Sequence, residues 1–206
     1  MDDVNLRPPS LRAERAAATR TRILEAARAR FSRDGYAAST LTDVAADAGV
    51  AVQTVYAVFG SKPGILRGLR ELVARDPVAD DAFEAAVAGR GAERLHRFAH
   101  SIRLRWERGW DVTAIHRDAA LSDASIRAEV EAVLARRGAG IGRLVADGTL
   151  GPPARAQAIV DALTLPEVYE RLVRIHGWSA DEYEAWLARA LVRELGGRGQ
   201  ASAARG

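Results

Sequence analysis

The stretch TLTDVAADAGVAVQTVYAV, residues 40–58, reads as two short helices crossing at a tight turn, and it decides the fold. Thr40-Leu41-Thr42-Asp43 has the form of a capping box, in which the Thr40 hydroxyl takes one free helix N–H and the Asp43 carboxylate reaches back. Gly49 ends that first helix, because a turn this tight needs a positive φ. Ala45 is small enough for two helices to approach closely, and Val44, Ala48, Val50 and Val55 sit at offsets that give them a shared apolar core. Together these features make a helix-turn-helix pattern.

An ordinary αα-hairpin also uses glycine turns, so the outward face of the second helix has to separate the two readings. Val52, Gln53, Thr54 and Tyr56 present small or hydrogen-bonding groups there, in place of the Glu/Lys mixture of a merely solvated face. Such a surface suits a major groove about 12 Å wide, where Gln can pair adenine and Thr or Val can meet a thymine methyl. Double-stranded DNA is the expected partner.

Working outward, apolar residues recur at three- and four-residue spacing throughout, which predicts an all-α chain. A helix ends near Ser32, with Ile23, Leu24, Ala27 and Phe31 on one face and Asp34-Gly35 stopping it. Ser61 caps a further helix that starts Lys62-Pro63. Beyond it, helices are expected over 91–108, 110–120, 123–146, 153–163, 165–176 and 180–195, with 76–90 a connection or partial helix. Thr164-Leu165-Pro166-Glu167 and Ser179-Ala180-Asp181-Glu182 both read as S/T-x-x-E boxes. The expected organisation is a flexible basic arm (1–11), a helix-turn-helix domain (12–60), a connecting helix (61–75), a second domain (76–196) and a disordered tail (197–206).

Composition narrows the function classes. The 206 residues are 48% hydrophobic and 28% charged, enough for a buried core and unlike a disordered chain. With no cysteine, a disulfide framework, a thiolate zinc site, an iron–sulfur cluster and a cysteine nucleophile are all excluded. No apolar run approaches the roughly 18 residues of a membrane span, and the N-terminus lacks a signal-type apolar core, so a cytoplasmic protein is expected. The net charge of +3 is unevenly placed. Residues 1–75 hold 12 Lys+Arg against 8 Asp+Glu, while residues 76–206 hold 18 against 19. The positive excess lies where a polyanion would dock. Arg7, Arg12 and Arg15 of the arm could lie in a minor groove, although a solvated tail accounts for them as well.

The run from Thr21 to Arg67 closely resembles the N-terminal domain of TetR-type (TetR/AcrR) transcriptional regulators. The resemblance rests on Phe31 with Asp34-Gly35-Tyr36, on Thr40, on the AxxAGV run, on T-V-Y-x-x-F from Thr54 to Phe59, and on Ser61-Lys62. It implies a homodimer whose two recognition helices enter successive major grooves of a palindromic operator. It also implies that Thr40 caps its helix and meets phosphate, that Thr42 lies near the backbone or a base, and that Val52, Gln53 and Thr54 read bases. Tyr56 and Lys62 would hold phosphate, with Val55 and Phe59 in the core. Gln53 stands where members often carry Gly.

The resemblance further implies that residues 76–206 bind a small-molecule effector and dimerise. Such a pocket is mostly apolar with a few polar anchors. The richest stretch runs from Phe98 to His116, so Phe98, Ile102, Trp106, Trp110 and His116 are the candidate lining, with Tyr169 added; plain core packing is the alternative for each. His96 and His100, at i,i+4, could share a metal, but no acidic residue or thiol completes that set, and no metal or other cofactor is expected. The G-x-G-x-G at 138–142 has no preceding strand and fails as a nucleotide loop. Ile159, Leu163, Val168, Leu172 and Ile175, with Trp186, Leu187, Leu191 and Leu195, form stripes suited to a four-helix dimer interface or to packing inside one subunit.

These readings combine in a DNA-binding regulator of the repressor type, released from its operator by an effector. Two alternatives remain: a DNA-binding dimer that senses nothing, and an all-helical enzyme using the second-domain cavity. No catalytic residues are assigned, because no Ser/His/Asp order, phosphate loop or carboxylate pair has supporting context.

Overall fold

A computed structural model describes residues 11–74 and 76–196. The arm up to residue 10, with Arg7, and the tail from 197 lie outside the described residues. Every regular element among those described is helical: α1 Leu11–Asp34, α2 Leu41–Ala48, α3 Val52–Phe59, α4 Lys62–Ala74, α5 Pro77–Ala88, α6 Gly91–Ser122, α7 Ala124–Val145, α8 Pro153–Leu163, α9 Pro166–Tyr169 and α10 Ala180–Leu195. A π-helical stretch, Glu170–Ile175, continues α9. The chain divides into two compact units between Glu71 and Leu72.

In the first unit, α1 begins at Leu11, so Arg12 and Arg15 stand on a helix rather than in an arm. Its buried residues are Ile23, Leu24, Ala27 and Phe31, the set the spacing predicts. Arg30 ties α1 to α2 with two hydrogen bonds to the Asp47 carboxylate, at 2.6 and 2.8 Å. Phe31 and Tyr36 pack edge to face, their centroids 5.4 Å apart.

The second unit is built on α6, which α5, α7, α9 and α10 pack against. Two predicted helices, 91–108 and 110–120, are in fact this one helix. Gly109 is a close approach within it, not a break: a Cβ there would lie 3.2 Å from the Val73 Cβ. Residues 77–88 are a full helix, because Asp76 caps it by accepting from the N–H groups of Val78 and Ala79 at 3.1 and 3.3 Å. Pro77 follows at the first helical position, where its missing N–H costs nothing.

Of the two expected boxes, Ser179 forms one with Glu182, but Thr164 does not. Its hydroxyl donates back to the Val160 carbonyl at 2.7 Å and accepts from Arg137 at 2.7 Å, leaving Leu165 at the start of α9. The three glycines at 138, 140 and 142 lie inside α7. Near the far end of α7, the buried Arg94 of α6 donates to the Gly89 and Leu144 carbonyls at 2.8 and 3.1 Å and to Asp147 at 2.7 Å. That cluster of bonds fixes the α7–α8 connection against the start of α6.

Candidate nucleic-acid interface and the second-unit interior

The α2–turn–α3 segment is held in place by local chemistry. Thr40 accepts from the Asp43 N–H at 3.1 Å, and Asp43 accepts from the Thr40 N–H and hydroxyl at 3.0 and 2.7 Å. These bonds hold the Asp43 carboxyl below its ordinary range. Gly49 has φ +62 and closes α2, and the Val50 N–H donates to the Ala45 carbonyl at 3.0 Å. Val44, Ala45, Ala48 and Val55 are buried beneath the turn. With that inner face fixed, Gln53 and Tyr56 are exposed, Tyr56 to 54%, while Val52 and Thr54 are half-exposed beside them. Thr40 and Thr42 are exposed at the start of α2. The geometry thus places six of the seven expected contact residues on accessible surface of one short segment.

Lys62 is the seventh, and the structure turns it inward. Its Nζ donates to the carbonyls of Tyr36, Ser39 and Ala37 at 2.8, 2.9 and 3.4 Å, and it lies 4.2 Å from the centroid of the Tyr36 ring. An ammonium has three protons, and all three have acceptors here. Partial burial pushes its pKa down. In place of the free cation the resemblance implies, Lys62 clamps the turn that leads into Thr40. Phe59 is only partly buried, with the Arg20 guanidinium 5.0 Å over its ring. Ser61 caps α4 as expected, accepting from the Gly64 N–H at 3.2 Å.

In the second unit, Phe98, Ile102, Trp106, His116 and Tyr169 are buried, and Trp110 is half-buried. Phe98, Ile102, Trp106 and Tyr169 belong to one apolar cluster, against which Trp110 packs. His116 donates its Nδ1–H to the Val112 carbonyl at 2.8 Å, since a carbonyl oxygen can only accept. None of these six residues lines either of two shallow surface clefts. One, of about 410 Å³, is lined by His96, Asp181, Glu184 and neighbouring α10 residues. The other, of about 300 Å³, lies between α8 and α10, lined by Ile159, Leu163, Trp186 and Ala190 with Arg193 and Glu194.

His100 pairs with Glu184 at 3.0 Å, and among the described residues no group of three His, Cys, Asp or Glu side chains could hold a metal ion. The expected dimer stripes divide. Leu187, Leu191 and Leu195 point into their own unit's core, Ile159, Leu163, Val168, Leu172 and Trp186 are half-buried, and Ile175 is 59% exposed. Sequence reasoning missed Tyr183, fully buried on α10 with its ring 5.0 Å from that of Tyr169. The available signal is its i,i+4 spacing from Leu187, which Leu191 continues one step further along the same face.

Residues 23–69 match the family model of bacterial regulatory proteins, tetR family. No curated protein matches the chain. Solved structures share the fold along most of its length. NalD, the secondary repressor of the MexAB-OprM multidrug efflux pump in Pseudomonas aeruginosa, is 22% identical with a TM-score of 0.70, covering 90% of this chain and 99% of that one. The transcriptional regulator FadR from Bacillus subtilis, in complex with stearoyl-CoA, is 18% identical with a TM-score of 0.65, covering 84% and 98%. SmeT in complex with triclosan is 18% identical with a TM-score of 0.68, covering 88% and 93%. Among the described residues, no helix is long and apolar enough to cross a membrane.

Proposed function

We propose that this chain, whose N-terminal unit carries a tetR-family domain, is a homodimeric transcriptional regulator of the repressor type, acting in the cytoplasm on a palindromic operator. The observation that carries the proposal is the exposed face of α3, where Gln53, Thr54 and Tyr56 stand on a helix whose other face is pinned by Val55 and the Gly49 turn. Gln53, Thr54 and Val52 read base edges, and Tyr56, Thr40 and Thr42 meet the backbone. Lys62 serves the same surface indirectly, by fixing the turn before Thr40.

A palindrome needs two copies of the reader, and a C₂ dimer supplies them. The cleft between α8 and α10 is the surface we assign to the second copy, with Ile159, Leu163 and Trp186 as its apolar centre and Arg193 and Glu194 at its edge. Buried aromatic residues at the centre of a patch commonly carry such contacts. The second unit binds a small molecule that favours one dimer conformation over another, and so changes operator affinity. An effector that bound both conformations equally would shift nothing. Ligand complexes of similar folds, with stearoyl-CoA in FadR and triclosan in SmeT, support this reading.

Sedimentation and DNA retention on the same preparations test it. The wild-type chain is expected to sediment as a dimer and to retain duplex DNA at 50 mM salt. Trp186→Glu should give a monomer that retains little. A wild-type monomer that bound DNA as tightly as the proposal expects of the dimer would overturn the dimeric reading.

A further inference from the structure

Helix α3 carries no charged side chain. Across residues 40–60 the only charged residues are Asp43 and Asp47, and there is no Arg, Lys, His or Asn. Both carboxylates are committed within the protein. Asp43 accepts from the N–H and hydroxyl of Thr40, and Asp47 accepts from the Arg30 guanidinium at 2.6 and 2.8 Å. Lys62, the next basic residue along the chain, is committed to the carbonyls of Tyr36 and Ser39. The face therefore meets a base pair with amide, hydroxyl and methyl groups.

An α-helix turns by about 100° per residue, so Gln53 and Ala57, one turn apart, lie farthest round α3 from the buried Val55. Both are exposed, and the half-exposed Val52 and Thr54 flank them. From Val52 to Ala57 the helix rises about 7.5 Å against about 3.4 Å for each base step, so the set spans about three base pairs.

Each base pair shows the major groove a different set of groups. Guanine presents two acceptors, O6 and N7, and is read best by a guanidinium or an ammonium, neither of which residues 40–60 supply. The Gln53 amide is half acceptor, so its oxygen finds no donor on that edge. Cytosine presents an N4 amino donor, and the two carboxylates that could accept from it are taken. Adenine presents a donor and an acceptor side by side, and the Gln53 amide matches both. Thymine adds a methyl, which Ala57 and Val52 meet with methyls of their own. The Thr54 hydroxyl suits more than one base and adds no strong preference.

Resting on the regulator reading above, we infer that the bases α3 reads in each operator half-site are a run of about three A·T pairs, with an adenine under Gln53 and a thymine methyl against Ala57. Ala57 is thus a specificity-determining residue, and the discrimination lies in the major groove.

The full-length protein is first used to select from random-sequence duplexes. Analogue pairs are then stepped along the recovered half-site, with affinity read by anisotropy. An inosine·cytosine pair has the major-groove edge of G·C without its minor-groove amino group. A diaminopurine·thymine pair has the major-groove edge of A·T with that amino group added. Three adjacent A·T positions should each lose affinity with inosine·cytosine, by about tenfold at the adenine under Gln53, and hold it with diaminopurine·thymine. Uracil in place of thymine should cost about fourfold at one of them, the effect of one buried methyl. Gln53→Ala should remove the inosine penalty at one position, and Ala57→Ser should shrink the uracil penalty.

Equal binding of the inosine·cytosine duplexes, or loss with diaminopurine·thymine, would place the preference in the minor groove or in DNA shape and overturn the inference. So would a symmetric motif whose Gln53-dependent and Ala57-dependent positions are G·C. The absence of a uracil penalty at every position overturns the role of Ala57. If a variant fails to fold, the analogue series on the wild-type protein decides alone. A symmetric motif with the wrong base pairs sinks only the A·T reading, whereas a pool with no symmetric motif sinks the regulator reading beneath it.

Discussion

Lys62 and Tyr36 are joined twice: the lysine Nζ donates to the Tyr36 carbonyl at 2.8 Å and lies 4.2 Å from the centroid of the same residue's ring. With the further bond to the Ser39 carbonyl at 2.9 Å, this lysine ties the start of α4 to the turn between α1 and α2. Thr40, which caps α2, is the next residue along. The only lysine of the chain therefore sets the position of α2 and α3 from behind.

Replacing it should accordingly act through the fold. Lys62→Met removes the donor to the Ser39 carbonyl and leaves that of Tyr36 only the Ser39 N–H, and is expected to destabilise the protein by about 1–3 kcal/mol, read by denaturant unfolding. DNA affinity should fall, but the slope of log K against log salt should stay unchanged. Losing a phosphate contact would instead reduce that slope by about 0.9.

Gln53 and Tyr56 should behave differently from each other. Gln53→Ala is expected to weaken specific binding by about 1–3 kcal/mol and to relax preference at one operator position. Tyr56→Phe should weaken binding by a similar factor on all sequences, since a phosphate contact carries no base information. Anisotropy titrations on the preferred duplex and on single-base variants separate the two patterns.

Acid should weaken the fold in a defined direction. The Asp147 carboxyl is held well below its ordinary 3.8, first by the Arg94 hydrogen bond and also by Thr149, and Asp43 and Asp47 are lowered by Thr40 and Arg30. A depressed carboxyl pKa stabilises the folded state above the unfolded value, and that stabilisation is lost as pH falls through the folded value. Thermal melts should thus show stability maintained above about pH 5 and declining progressively below about pH 4. Asp147→Asn should flatten that decline. Arg94→Met, which leaves the buried Leu144 carbonyl unpaired, should cost about 2 kcal/mol at neutral pH.

The glycines inside helices should divide by sign. A Cβ on Gly138 or Gly142 would meet Gln157 at an ordinary 3.9 Å, so Gly138→Ala and Gly142→Ala should each stabilise by about 0.5–1 kcal/mol. A Cβ on Gly64 would overlap the Phe59 carbonyl oxygen, so Gly64→Ala should disrupt the junction of α3 and α4. Urea midpoints should move in opposite directions for the two classes.

The helix-turn-helix was legible in the sequence because local chemistry writes it: the Thr40–Asp43 box, the Gly49 turn and the Val44/Ala45/Val55 core each act over a few residues. The same locality explains the Ser179 cap. What escaped was set by distant partners. Gly109 reads as a helix stop until Val73 is seen against it, and Thr164 reads as an N-cap until Arg137 claims its hydroxyl. Lys62 resembles a phosphate ligand until the Tyr36 and Ser39 carbonyls, more than twenty residues away in sequence, are found around it. The helix at 77–88 is a different case, since its Asp76-Pro77 start is local chemistry too, a cap followed by a proline at the first helical position. For the second unit, the aromatic stretch from Phe98 to Trp110 was visible, but the sequence offered no sign that Trp106 and Tyr183 keep unpaired polar atoms inside.

The measurement that bears most directly on the central claim is selection of the purified wild-type protein on random-sequence duplexes, followed by sequencing of the retained pool. The account predicts an inverted repeat with half-sites about one helical turn apart, bound far more weakly at 200 than at 50 mM salt, and recovered by Gln53→Ala only more weakly and with preference lost at one position of each half-site. A retained pool with no symmetric motif, or one recovered equally well by Gln53→Ala, would contradict it.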